Sequence, residues 1–151
     1  MKVVRGLPPN YDEIIKAFPQ VADMAGIIYA WHDTIYNPDG GPVGPDLIAH
    51  ETVHARQQAG DPAGWWRLYL ENGLFRLQQE IEAHQAEYDY WRSGSRHVRR
   101  KMLRGIAKRL SSPMYGSMVD YVLARDLVDP PPTFKFPEKL KAETWATRFS
   151  Y

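Results

Sequence analysis

The chain of 151 residues contains no cysteine. That absence excludes disulfides, thiolate metal sites and a cysteine nucleophile, so any tightly held metal must be bound by His, Asp or Glu. No apolar run approaches the roughly 18 residues of a membrane span, and the opening Met-Lys-Val-Val-Arg-Gly-Leu lacks the apolar stretch of a signal peptide. The expectation is a chain with no transmembrane segment and no secretion signal, resident in the cytoplasm. Internal repeats and low-complexity tracts are missing too, as are a Gly-rich phosphate cradle and a Gly-x-Ser-x-Gly elbow. What remains is ordinary globular composition: 44% hydrophobic, 25% charged and a mean hydropathy of -0.50, enough for one domain with its own core.

Acidic residues are absent from one block only. Residues 92–110 carry 8 Lys and Arg and no Asp or Glu, whereas residues 1–91 carry 6 basic against 13 acidic residues, and the net charge is only +1. Val98, Met102, Ile106 and Leu110 recur at helical spacing inside the basic block, which reads as the solvated side of an amphipathic helix over residues 96–110. A cationic surface for nucleic acid, anionic lipid or an acidic partner is the competing reading. It is the less favoured one, because no aromatic residues interleave the charges.

The other elements follow from punctuation. Asn10 stands as N-cap of a helix over Tyr11 to Phe18, stopped by Pro19. The β-branched and aromatic run from Gly26 to Tyr36, ending in turn formers, predicts a strand or hairpin. Asp46 is placed to cap a helix ending near Gln58, with Gly60 beyond it, and Asp61-Pro62 opens the next. Leu74, Leu77, Ile81, Tyr88 and Trp91 define a long helix up to Ser93-Gly94-Ser95. A last helix is expected from Tyr115 to Leu127. Residues 1–132 therefore read as the domain, and residues 133–151 as an extended arm with a short helix around Glu138 to Trp145. Its aromatic residues suit a partner slightly better than the chain's own body.

The chemistry concentrates in His50-Glu51-Thr52-Val53-His54. Residues four apart share a helix face, so His50 and His54 can present two imidazole nitrogens to one Zn²⁺ while Glu51 lies about 100° round the helix, toward a metal-bound water. A third ligand is needed, and Glu80, His84 and Glu87 share one face of the long helix at i, i+4 and i+7. Glu87, Asp46 and Gln57 are candidates to accept the other ring proton of the ligating histidines.

The segment His-Glu-Thr-Val-His-Ala-Arg-Gln-Gln (50–58), followed by Glu-Ile-Glu-Ala-His (80–84), resembles the gluzincin branch of the zincin metallopeptidases. It is similar in particular to short His-Glu-x-x-His-x-x-Gln domains of phage and contractile-injection-system proteins. The match covers residues 46–91. The resemblance implies a minimal zincin-like α+β fold, mostly helical with a small sheet, in which His50, His54 and Glu80 hold Zn²⁺ and Glu51 is the general base. It also implies a peptide or protein substrate. His84 stands where gluzincins often have Asp, which leaves three readings: Glu80 ligates with His84 behind it, His84 itself ligates, or the site is structural. Tyr69, Tyr115 and Arg56 are candidate donors to the oxyanion of the transition state. In this family a strand before the metal helix commonly aligns substrate by β-augmentation, and Ile27 to Tyr36 is placed to do so. The alternative function is a structural phage or injection-machine component, particle-borne, that keeps the metal site and assembles through its arm and basic helix.

Overall fold

A computed structural model describes residues 1–141. Three short strands, β1 (Lys2–Arg5), β2 (Tyr29–Trp31) and β3 (Thr34–Asn37), form a sheet in the order β1-β3-β2. β1 runs parallel to β3 and β2 antiparallel to it. Around the sheet lie six helices among the described residues: α1 (Tyr11–Ala17), α2 (Pro45–Gln58), α3 (Pro62–Glu71), α4 (Gly73–Trp91), α5 (Arg96–Leu110) and α6 (Tyr121–Val128). The architecture is α+β, as expected, and no described helix is long and apolar enough to cross a membrane.

The hairpin expected from the β-branched run is β2-β3, turning at His32-Asp33 with His32 in the left-handed region (φ 54). β1 was not foreseen: four residues with only Val4 partly covered carry no alternation strong enough to announce a strand. Asp61 caps α3 as its position suggested, accepting the Gly64 amide at 2.9 Å. Asn72 and Ser95 do the same for α4 and α5.

Three boundaries differ from expectation. Gly44, not Asp46, is the N-cap of α2, because Pro45 already takes the first helical position. The last helix starts at Tyr121 rather than Tyr115: Pro113–Tyr115 is a 3₁₀ turn, and positive φ at Gly116 (76) and Ser117 (49) breaks the chain before Asp120 caps α6. Glu138–Leu140 forms a 3₁₀ turn, while the rest of the expected short helix, with Trp145, Phe149 and Tyr151, lies outside the described residues. At the start of the arm, Phe134 packs on the core, Leu140 is buried, and Gln78 donates to the Leu140 carbonyl at 2.7 Å.

The apolar core has two parts. One gathers Leu77, Ile81, Ile106, Leu110 and Leu127 from α4, α5 and α6. The other gathers Ile14, Tyr29, Trp65, Trp66 and Phe75 from α1, β2, α3 and α4. α4 serves both, and between α4 and α2 runs a seam of buried polar side chains. α2 buries His50, Glu51, His54 and Gln58 but, of apolar residues, only Val53. α5 buries Ile106, Ala107 and Leu110 and turns Arg96, Arg100, Lys101, Arg104 and Lys108 outward, the amphipathic arrangement anticipated for it.

Candidate metal centre

One turn of α2 brings His50 and His54 together, with their Nε2 atoms 3.1 Å apart. α4 crosses opposite them and supplies Glu80: one carboxylate oxygen lies 3.2 Å from His54 Nε2 and the other 3.6 Å from His50 Nε2. A tetrahedral metal with bonds of about 2.1 Å separates its ligand atoms by about 3.4 Å. The three spacings bracket that value.

The outward ring nitrogens are all engaged. Nδ1–H of His50 donates to Glu87 Oε2 at 3.2 Å, and Nδ1–H of His84 donates to the same oxygen at 2.9 Å. Nδ1–H of His54 donates to Gln57 Oε1 at 2.9 Å. With Nδ1 the donor in all three rings, the Nε2 atoms are turned toward Glu80. Two lone pairs facing at 3.1 Å repel unless a proton or a cation lies between them. Arg109 of α5 anchors the far oxygen of Glu87, so four residues from three helices share one carboxylate assembly.

Two buried atoms here make no hydrogen bond: Glu80 Oε2 and His84 Nε2, 3.6 Å apart. An unmet buried polar atom costs about 1–3 kcal/mol, and this pair are an anionic oxygen and an imidazole nitrogen, both good cation donors. The donor set and these orphaned atoms fit a divalent metal bound by His50, His54 and Glu80. His84 reaches Glu80 through its free nitrogen and Glu87 through the other, and no backbone carbonyl satisfies it.

Electrostatics separate the members. Burial pushes His50 down to about 4, against the pull of Glu87, so its ring is neutral and ready to ligate at pH 7. Burial also disfavours the charge on His54, but Glu80 beside it wins and lifts it to about 9. Glu80 itself is held well below the usual carboxylate range: burial opposes its charge and the three histidines outweigh that cost. Glu51, only 6% exposed, is pushed up to about 8 by burial, with the charges of Glu80 and Glu87 adding to it. A carboxyl group poised near neutrality beside a metal site suits proton transfer.

Of the candidate oxyanion donors, Tyr69 and Tyr115 face the site. Tyr69 donates its hydroxyl to Glu80 Oε1 at 2.6 Å, and burial with the nearby Glu80 charge raises both phenols well above their ordinary value. Arg56 is not there: it pairs with Glu82 on the surface. Asp46 is not beside a histidine either, because Trp91 donates to its carboxylate at 3.2 Å. A cavity of 120 Å³ opens against the centre, walled by His50, Glu51, His54 and Glu80 and by apolar residues including Phe18, Trp65 and Trp66.

The strand expected to align substrate is otherwise engaged. The Ala30 carbonyl accepts from Gln58 Nε2 at 2.9 Å and Trp66 Nε1 at 3.0 Å, and the Ala30 backbone also stabilises the Glu51 charge. The outer edge of β2 is spent on α2 and α3 at that residue. Gln58 was not singled out from the sequence, and neither was Arg109. The only signal for Gln58 is its place one turn past His54. Arg109 gave none, because its contact depends on how α5 packs on α4. Comparison with protein-family models, with curated proteins and with solved structures returned no match.

Proposed function

We propose that the chain is a zinc-dependent metallopeptidase in which His50, His54 and Glu80 hold Zn²⁺ and Glu51 is the general base. The observation that carries this reading is the placement of Glu51. It is a buried carboxyl group that ligates nothing and lies in the cavity wall with the three ligands. A purely structural site has no use for such a group, whose burial costs stability.

Zinc, when bound, acidifies water and polarises a carbonyl. Glu51 then takes the proton from the attacking water and delivers it to the leaving amine. Tyr115, protonated at neutral pH and in the cavity wall, is the hydroxyl donor to negative charge on the carbonyl oxygen, while Tyr69 donates its hydrogen bond to Glu80. Glu87 and Gln57 hold the histidine rings in the ligating tautomer, and Trp65, with its ring 5.4 Å from that of His54, keeps water from that side. The donor set favours zinc over calcium or magnesium, since two imidazoles with one carboxylate suit a borderline-soft ion.

The enclosure of the centre supports a second reading, a structural particle component that retains the metal site. Every ligand is less than 9% exposed, and 120 Å³ is small beside the roughly 300–1,000 Å³ of ordinary ligand pockets. A Glu51→Gln variant separates the two. Under the peptidase reading it binds one zinc per chain by elemental analysis and loses hydrolysis of a mixed peptide library, while His54→Ala loses the metal. Hydrolysis that survives Glu51→Gln removes the peptidase reading.

A further inference from the structure

Among the described residues, Arg76 is the one buried cation in the cavity wall that the metal centre does not use. It lies on α4 one turn before Glu80, on the same face, so its backbone is displaced from the ligand's by about 6 Å along the helix. Its side chain is 9% exposed, yet no carboxylate among the described residues pairs with it. Nη1 donates to the carbonyls of Tyr69 at 2.6 Å and Leu70 at 3.5 Å, at the C-terminal end of α3, and the guanidinium lies over the Phe18 ring. Nε is fully buried and makes no hydrogen bond, and Nη2, which is not fully buried, bonds to no described residue.

Capping α3 accounts for one nitrogen of three. It leaves a full charge, with a planar pair of donors unmet, in a wall that is otherwise mostly apolar. A guanidinium in that condition is matched by a carboxylate, which accepts two parallel N–H bonds from it. One residue of extended chain spans about 3.3–3.6 Å. The one-turn displacement between Arg76 and Glu80 along α4 thus corresponds to one or two residues of extended peptide.

We propose that Arg76 receives the free C-terminal carboxylate of a peptide, so that the site removes one or two residues from a chain end. The proposal rests on the peptidase reading for its chemistry but on Arg76 alone for its anion site. The C–N bond before the terminal unit breaks, water's oxygen stays on the carbonyl carbon, and the released amine carries away the proton that Glu51 had taken. A chain end also needs less room than a continuous strand, which suits a cavity of 120 Å³ beside a strand edge that is already occupied.

Two measurements on the full chain test it. N-acetylleucine and its amide, titrated calorimetrically into metal-free protein, should differ at least about tenfold in affinity in favour of the carboxylate. Arg76→Gln should abolish the difference, and Arg76→Lys should keep part of it. Equal binding by the unsubstituted protein overturns the proposal, whether or not either variant folds. In zinc-loaded protein, a peptide with a free C-terminus should be cleaved at its last or penultimate bond, at least about tenfold faster than the same peptide amidated. Equal cleavage of both overturns the anion site and leaves the peptidase reading standing. Carboxylate preference with cleavage of neither peptide removes the peptidase reading, and with it chain-end removal, while Arg76 remains an anion site.

Discussion

Glu87 holds two histidines through a single oxygen and is itself held by Arg109. Replacing it with Gln keeps the size but removes the charge that orients both rings. Glu87→Gln should therefore weaken zinc binding about 10–100-fold in a chelator competition, whereas Glu51→Gln should leave it within a fewfold. An unchanged affinity in Glu87→Gln would remove its positioning role. His54 and Glu51 set the pH behaviour. Burial opposes the charge on His54, but Glu80 overrides it and raises the group from 6.5 to about 9, so its contribution to stability is full below 6.5 and is lost as pH rises through 9. Glu51, raised from 4.5 to about 8 by burial, loses stability in the same direction between those values. Calorimetric melting of metal-free protein should thus fall from pH 6.5 to 9, and Glu51→Gln should flatten the lower part of that fall. Under the proposed zinc reading the metal would displace the His54 proton, so binding at pH 7 should release at least about one proton, seen as heats that vary with the buffer's ionisation enthalpy. The pattern His50-x-x-x-His54 was legible because helical periodicity alone places both rings. The sharing of Glu87 was not, because the same i, i+3 and i+4 spacings from His84 also describe an ordinary solvated face.

At the scale of the element, the link between α2 and β2 decides whether Glu51 is enclosed. Gln58 sits one turn past His54, 2% exposed, accepting the His32 amide at 2.7 Å and donating to the Ala30 carbonyl at 2.9 Å. Gln58→Leu preserves volume and breaks both bonds, leaving the His32 amide without its partner. It should cost about 2–3 kcal/mol in urea unfolding while weakening zinc binding far less than Glu87→Gln. A stability change below about 0.5 kcal/mol would mean that the strand is held by the Trp66 bond and packing instead. The start of α3 was readable because the Asp61 side chain caps it, whereas Asn72 and Ser95, which cap α4 and α5 in the same way, were not read as caps. The start of α6 was misplaced because Tyr115 and Val119 continue an apolar spacing across Gly116 and Ser117, whose left-handed backbone no periodicity reveals. β1 owes its form to pairing with β3 across the intervening residues 6–33, a dependence that four mostly exposed residues do not advertise.

For the molecule as a whole, the buried polar seam lies between two apolar clusters, and α4 is common to all three. Hydrophobic burial secures each cluster, but where α2 meets α4 the side chains are His50, His54, Glu80, His84 and Glu87, all buried. Without a cation this interface keeps two unbonded polar atoms, Glu80 Oε2 and His84 Nε2, and two imidazoles that only the His54 proton bridges. Metal binding would therefore be folding energy for the junction of α2 with α4 rather than an addition to a finished core. With free zinc about a thousandfold above its dissociation constant, linkage adds about 4 kcal/mol to stability. At about 2–4 °C per kcal/mol for a chain of this length, melting should rise by roughly 10 °C on loading. The rise should vanish in His54→Ala, and amide exchange should slow in α2 and α4 more than in α5 and α6. A melting temperature indifferent to zinc in the unsubstituted protein would show that the seam is satisfied without metal, and the centre would then lose its claim to be one.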